Sequence, residues 1–306
     1  MRILFAVVHH WNPAGGGKHA SLRPNVLPRK EALQQQLLSL RRLGPVQGTI
    51  DFATLHFKPV NEALGHMVDI RLITDGENTV IDHLDYEYKT LFKEERTKPS
   101  NSFYLGFEAQ RFLASKLDDN YDFYCYMEDD LIVNDPLLIH KIHWFNQELG
   151  DSKLVLPHRV EFMNTPQSVQ KLYIDGPLDC NLLKTLISDP PQSLVAGTPA
   201  GRIMYESPSN PHSGCFFLTH SQLDFWRKQS SWQDGDVSYI SPLESAATLG
   251  ISKSFTLYKP VLEYAAWMEV QHWGASFICN VLPPKDSQVE DKNGNNDVKD
   301  HEKLVP

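Results

Sequence analysis

The sequence predicts an α/β fold: a mostly parallel sheet flanked by helices, with a less regular C-terminal half. Three observations carry this. Apolar strand-like runs alternate with helix-like runs through residue 127, the pattern of a parallel sheet with crossover helices. The run "YDFYCYM" (121–127) lacks polar/apolar alternation, as expected of a strand buried on both faces. The chain has 306 residues, 41% of them hydrophobic and 22% charged, enough for a sizeable core.

Each element follows in order. "RILFAVV" (2–8) reads as the first strand, and its apolar run is too short for a leader or a membrane span. A loop rich in Gly, Pro and His follows. In "PRKEALQQQLLSLRRLG" (28–44), Pro28 suits the first helical position, Leu33, Leu37 and Leu40 share one face, and Gly44-Pro45 ends the helix. "MVDIRLITDGENT" reads as a second strand entering an Asp-Gly turn. "SFYLGFEAQRFLASKL" (102–117) reads as a helix with Phe103/Phe107 and Leu113/Leu117 pairs. Beyond residue 150, "KLVLPHRVEF" and "GCFFLTH" resemble strands and "SPLESAATLG" a short helix. Residues 284–306 are polar and lack aromatics, which predicts a disordered tail after a single domain spanning 1–283.

Composition excludes several function classes. The net charge of −9 argues against a nucleic-acid surface. The four cysteines, Cys125, Cys180, Cys215 and Cys279, form no CxxC pair, so a finger-type zinc site is not expected. Their scatter and the absence of an Asn-x-Ser/Thr acceptor fit a reducing, cytoplasmic setting. No run of about 18 apolar residues predicts an integral membrane segment.

Chemistry concentrates at "YCYMEDDLIVNDP" (124–136), where Glu128, Asp129 and Asp130 follow the buried strand. In open α/β sheets, ligands bind beyond the carboxyl ends of the strands. Three adjacent carboxylates repel one another, and a hard divalent cation, Mg²⁺ or Mn²⁺, would relieve that and could bridge to a diphosphate. The stretch also reads as a solvated acidic turn in which Asp129 or Asp130 caps the next segment.

"YMEDDLIV" resembles the DxD-type motif of GT-A fold glycosyltransferases, in a Glu-Asp-Asp form. "PRKEALQQQLLSL" resembles the helix that opens family 2-like members, and "LITDGENT" resembles their second-strand turn. These elements occur in the family's order over 1–135, although the first loop is longer than usual and the motif begins with Glu. The resemblance implies that Asp130, with Glu128 or Asp129, holds Mn²⁺ or Mg²⁺ on a nucleotide-sugar diphosphate. It places Asp75 near the base, matches Arg29 to the helix-opening arginine, and lines the nucleotide pocket with Val8 and His9. The half 1–135 would bind the nucleotide sugar, and 136–283 the acceptor.

The second half offers further candidates. His272 in "WMEVQHWGAS" is a metal-ligand candidate, because GT-A enzymes often add a late histidine, with Trp267 and Trp273 walling a sugar; it also reads as a histidine in an aromatic core. Glu244 is a candidate base toward an acceptor hydroxyl. Its position reads more directly as the N3 residue of a Ser241 capping box. Asp236, with Asp234, is a rival for the base. "NPHSGCFFLTHSQLDFW" (210–226) resembles the Gly-containing acceptor-side strand of GT-A enzymes, a resemblance that would place His212, Ser213 and Gly214 near the transferred sugar; no G-x-S-x-G elbow surrounds Ser213. "NPAGGGKH" fails as a phosphate loop of either Gly-rich type, leaving either a plain mobile loop or a loop over the nucleotide whose Lys18 and Arg23 approach phosphates.

The resulting expectation is a metal-dependent glycosyltransferase moving a sugar from a nucleotide diphosphate sugar, a uridine nucleotide foremost, to a saccharide or other hydroxyl acceptor. The alternatives are a sugar nucleotidyltransferase and a non-catalytic carbohydrate- or metal-binding module.

Overall fold

The computed structural model describes residues 1–17, 19–163, 170–178 and 192–281. The expected tail, Lys18 and Cys180 lie outside the described residues.

The core is a five-stranded sheet. Strand β1 (Arg2–Val8) lies at its centre. Two short strands, β2 (Gly48–Asp51) and β3 (His56–Pro59), form a separate hairpin. Then β4 (Met67–Thr74) and β6 (Phe123–Glu128) flank β1 on either side, both parallel to it, and β5 (Lys93–Arg96) continues parallel to β4. The outer edge beside β6 is β13 (Cys215–Thr219), and it runs antiparallel. Strands β7 (Leu131–Ile132), β9 (His158–Phe162), β10 (Lys171–Tyr173) and β15 (Glu269–His272) make a second sheet. A third holds β8 (Lys153–Val155), β11 (Ser193–Thr198), β12 (Gly201–Glu206) and β14 (Thr256–Pro260).

Strand alternation sorts the central sheet's side chains onto two faces. Ile3, Phe5 and Val7 of β1, with Phe123, Cys125 and Met127 of β6, face helix α1 (Leu27–Arg41), which presents Leu33, Leu37 and Leu40. Leu4, Ala6, Val8, Tyr124 and Tyr126 face the other layer. In that layer α3 (Leu105–Ser115) supplies Leu105, Phe107, Ala109 and Leu113, whereas the short α2 (Tyr86–Lys89) packs Tyr88 against the α1-side core. Each fully buried leucine here contributes about 1.5–3 kcal/mol, so Leu37→Ala would cost roughly 2–5 kcal/mol once its cavity is counted.

Several elements differ from expectation for local reasons. "KLVLPHRVEF" is two strands, not one: β8 pairs with β14 and β9 with β15, in different sheets. Pro157, which lacks an N–H, sits at the break. The segment 102–117 divides into a 3-10 turn, α3 and a second 3-10 turn ending at Asn120 in the left-handed conformation. Helix α4 (Leu138–Leu149) buries Leu138, Ile139, Ile142 and Phe145 against the α1 face. Two more helices close the other face: α5 (His220–Trp226) and α6 (Pro242–Ser252). Cys125 and Cys215 are buried free thiols, and Cys279 is exposed and free. Among the described residues, no helix is long and apolar enough to cross a membrane.

Candidate functional site

The carboxyl ends of β1, β4 and β6 meet on one edge of the sheet, and the acidic triplet stands there. Alternation gives its three acids different surroundings. Glu128 continues the Tyr124/Tyr126 face toward α6, Asp129 turns to the α1 face, and Asp130 enters the turn before β7.

Asp129 is locked. Its Oδ1 accepts from Arg29 Nη1, and its Oδ2 accepts from His9 Nδ1 at 2.5 Å. His9 Nε2 in turn accepts the Val80 N–H at 3.0 Å, so the His9 proton sits on Nδ1. Burial alone would raise Asp129, but Arg29 and the His9 bond outweigh it and hold the carboxyl below its usual range. The charge of Arg29 at a helix start is therefore neutralised by Asp129 and by Asp130, whose Oδ2 lies 3.2 Å from Nη1. Val8 and His9 were expected to line a nucleotide pocket. Both side chains are wholly buried and His9 is bonded at both nitrogens, so in this arrangement they form the floor beneath the site rather than its wall.

The motif's backbone is pinned from two sides. Gln36 Nε2 donates to the Glu128 carbonyl at 2.5 Å, and the Trp273 N–H donates to the Asp130 carbonyl at 2.7 Å. The first bond comes from α1 and the second from the residue after β15, so the second sheet is tied to the first at this point.

Above the floor, unpartnered atoms converge. Glu128 Oε1, Asp130 Oδ1, Glu244 Oε2 and His212 Nε2 are all buried with no hydrogen-bond partner. His212 Nε2 stands 3.9 Å from Glu128 Oε1 and 3.7 Å from Glu244 Oε1. Glu128 is pushed up to about 8 by burial and then by Asp130; Arg159 pulls it back, while Glu244 and Asp129 push further. His212 is held neutral, well below its usual value, by burial and then by Arg159. Gly214 makes room for this crowding: its φ is +64°, and an added Cβ would lie 2.9 Å from Leu131 Cδ1 and 3.1 Å from Glu128 Oε2. Ser213 Oγ is committed to the Pro157 carbonyl at 2.7 Å.

His272 closes the other side. Its Nε2 is 3.8 Å from Asp130 Oδ2, and its Nδ1 is 2.9 Å from Glu161 Oε1. The Ser241 cap on α6 is present, with Ser241 Oγ accepting the Glu244 N–H at 3.3 Å. The Glu244 carboxylate faces His212 and Glu128 instead of closing a box, so the capping reading accounts for Ser241 and not for this side chain.

The remaining candidates separate. Asp75 shapes the turn after β4: Oδ1 accepts from the Glu77 and Asn78 N–H groups at 3.0 and 2.7 Å, and His10 lies 3.5 Å from Oδ2. Asp234 and Asp236 both pair with Lys253, at 2.6 and 2.8 Å, and Asp236 is held near 2 by that lysine. A carboxylate so placed is a weak base. Trp267 carries the Lys141 ammonium 4.3 Å over its ring, on the α4 side. Arg23 is exposed, its carbonyl accepting from Trp11 Nε1 at 3.0 Å.

Residues not singled out from sequence underlie the cluster. Asp175, fully buried, accepts Arg159 Nε at 2.8 Å and Lys259 Nζ at 2.7 Å, and Lys259 also donates to the His212 carbonyl at 2.6 Å. A lone lysine inside the strand "TLYKP" was the available signal for this network.

The donor set suits a hard divalent cation, with carboxylate oxygens, an imidazole nitrogen and unpartnered acceptors that repel one another. Among the described residues, no three such groups are already gathered at coordinating geometry. Mg²⁺-type ions, however, commonly take only one or two carboxylates and complete their shell with substrate phosphates and water. Asp130 and His272 fit such a partial set. Two surface clefts of 360 and 340 Å³ lie elsewhere, the first lined by Pro211, Lys253 and Phe255, the second by Tyr104, Glu108 and Gln233.

The fold and site define an α/β protein with a convergent acid and histidine cluster at the carboxyl edge of its parallel sheet. No family model matches the chain, and no curated protein matches it. Among solved structures, it is similar to the S. aureus TarS 1–349 structure, with a TM-score of 0.40 and 9% identity, over 85% of this chain and 58% of that chain. The complexes of TarS 1–349 with UDP-GlcNAc and with UDP give TM-scores of 0.37 and 0.38 at 10% and 11% identity, again over 85% of this chain and over 56% and 57% of theirs. The chain thus spans less than two thirds of the length of these structures.

Proposed function

We propose that the chain is a metal-dependent glycosyltransferase of GT-A type that moves a sugar from a nucleotide diphosphate sugar, a UDP-sugar foremost, to a hydroxyl acceptor. The observation that carries this reading is the convergence of Glu128, Asp130, His272, His212 and Glu244, with four buried unpartnered polar atoms, at the carboxyl edge of the parallel sheet. That edge is where open α/β sheets receive nucleotides.

Asp130 and His272, with Glu128 adjoining, would hold Mn²⁺ or Mg²⁺. Such a cation supplies electrostatic stabilisation of the charge that develops on the departing diphosphate. The Arg29–Asp129–His9 lock fixes the backbone that aims Asp130. Asp75 and its turn lie at the end of the neighbouring strand, where the base would rest. In an inverting reaction, Glu244 takes the acceptor's hydroxyl proton as the acceptor oxygen bonds to the sugar's anomeric carbon and the bond from that carbon to the diphosphate oxygen breaks. Its carboxylate qualifies because one oxygen lacks any partner and it projects into the cluster.

Thermal unfolding with UDP, GDP, ADP or CDP, with and without Mn²⁺, tests the reading on wild type and Asp130→Ala. A ligand at 100 times its Kd stabilises by about 2.7 kcal/mol. A shift with one nucleotide that requires Mn²⁺ and vanishes in the variant is expected. Absence of any shift overturns the reading. Sugar transfer from the matching labelled nucleotide sugar to a panel of saccharides then identifies the acceptor.

A further inference from the structure

Glu161 is a charged side chain with zero exposure that no step above uses. It is the fourth residue of β9, which runs parallel to β15, and the register Gln271–Val160 puts it beside His272. Burying a carboxylate costs several kcal/mol unless donors surround it. Here four do. Oε1 accepts from His272 Nδ1 at 2.9 Å and Ser276 Oγ at 3.3 Å; Oε2 accepts the Phe277 and Ile278 N–H groups at 2.9 and 2.8 Å. An ionised carboxylate only accepts, so the Nδ1 position of His272 must carry the proton. The other nitrogen, Nε2, faces Asp130 Oδ2 at 3.8 Å. In the neutral ring, Nε2 then presents a lone pair toward Asp130 Oδ2, which also accepts from Arg29 Nη1 at 3.2 Å, and a cation shared by the nitrogen and the carboxylate makes that approach favourable.

We propose that Glu161 is a positioning residue: by fixing the tautomer and ring orientation of His272, it prepares Nε2 to join Asp130 in binding a divalent cation. The inference rests on the metal-dependent reading above. A carboxylate behind a ligating histidine both orients the ring and raises its basicity, and removing such a partner typically weakens metal binding by about 10–100-fold. Glu161 also fastens the turn at 276–278, so a purely structural role is the competing account.

A mutant cycle separates the two. Mn²⁺ affinity in saturating UDP is read from the free-ion EPR signal in wild type, Glu161→Gln, His272→Ala and the double variant, with circular dichroism as a control on folding. If Glu161 acts through His272, Glu161→Gln weakens Mn²⁺ by about 10–100-fold alone and has no further effect in the His272→Ala background. Losses that multiply, or a Glu161→Gln protein that binds Mn²⁺ as tightly as wild type, overturn the proposal and leave the glycosyltransferase reading standing. A wild type that takes up no Mn²⁺ with any nucleoside diphosphate overturns both. Should Glu161→Gln fail to fold, ¹⁵N-histidine NMR of the wild type at pH 8 reads the ring directly. The Nδ1–H tautomer is expected for His272, and a proton on Nε2 overturns the proposal.

Discussion

Replacing Asp175 by Asn removes the anion that bonds directly to two buried cations. Asp175 receives Arg159 Nε at 2.8 Å, the Arg159 backbone N–H at 2.9 Å and Lys259 Nζ at 2.7 Å. The side chains of Arg159, Asp175 and Lys259 are 8%, 0% and 1% exposed, so water cannot substitute. An asparagine would accept with one atom but turn an N–H₂ toward donors with the other. Breaking a buried ion pair from one side costs about 3–5 kcal/mol. In a protein of this size that lowers the melting midpoint by roughly 5–8 °C. The pH dependence has a defined sign. Burial lowers Lys259 below its ordinary value, and Asp175 opposes that. Without Asp175 the folded-state value falls further from the unfolded one. Between the two values the unfolded chain binds more protons, so the variant gains stability as pH rises. The deficit measured by urea denaturation at pH 7 should therefore narrow toward pH 10. Adding Lys259→Met removes one stranded charge and should restore at least about 1 kcal/mol. A deficit under about 1 kcal/mol, or a double variant no more stable than the single, would refute the account of this network.

Other outcomes follow from the site. Glu244→Gln should lower kcat by about 10²–10⁴-fold if it is the base, with the Mn²⁺-dependent thermal shift from UDP unchanged; retained transfer activity would dismiss that role. Gly214→Ala should cost about 1–3 kcal/mol, because the left-handed backbone and the approach to Leu131 and Glu128 both oppose a Cβ, and calorimetry would reveal it. Arg29→Met strands Asp129 with only His9 and should destabilise by about 3–5 kcal/mol in urea, whereas the exposed Arg23→Met should be near neutral.

Local chemistry made part of this molecule legible. Buried strands at 2–8 and 121–127 and the leucine face of the first helix are period signals within one segment. The acids of 128–130 stood out because charge follows a core strand so abruptly. What escaped depends on partners distant along the chain. Glu161 lies 111 residues from His272, and Asp175 lies 84 from Lys259. In "HRVEF", Arg159 and Glu161 look like the wet side of a half-buried strand. Asp175 covers the first, and His272 with the turn at 276–278 covers the second, and no local pattern announces either. Glu244 shows the opposite difficulty: its helix-start position offered a sufficient local explanation, and only the direction of the side chain sets it aside. The antiparallel direction of β13 was hidden for a related reason, since direction belongs to the pairing and not to the segment.

The triplet at 128–130 also carries a lesson for engineering. Its three acids have equal formal charge and nearly equal size, yet each answers to a different neighbourhood because the strand ends at the first of them and its phase sets how the following turn directs the other two. Inserting one residue into the strand that leads to it would preserve the composition and reverse the assignment. The acid now wedged under the first helix would rotate into the open cluster, and a cluster acid would be driven against the helix. Swapping letters within the motif is thus a milder perturbation than shifting its frame, and a design that transplants this edge must carry the strand's phase along with the acids.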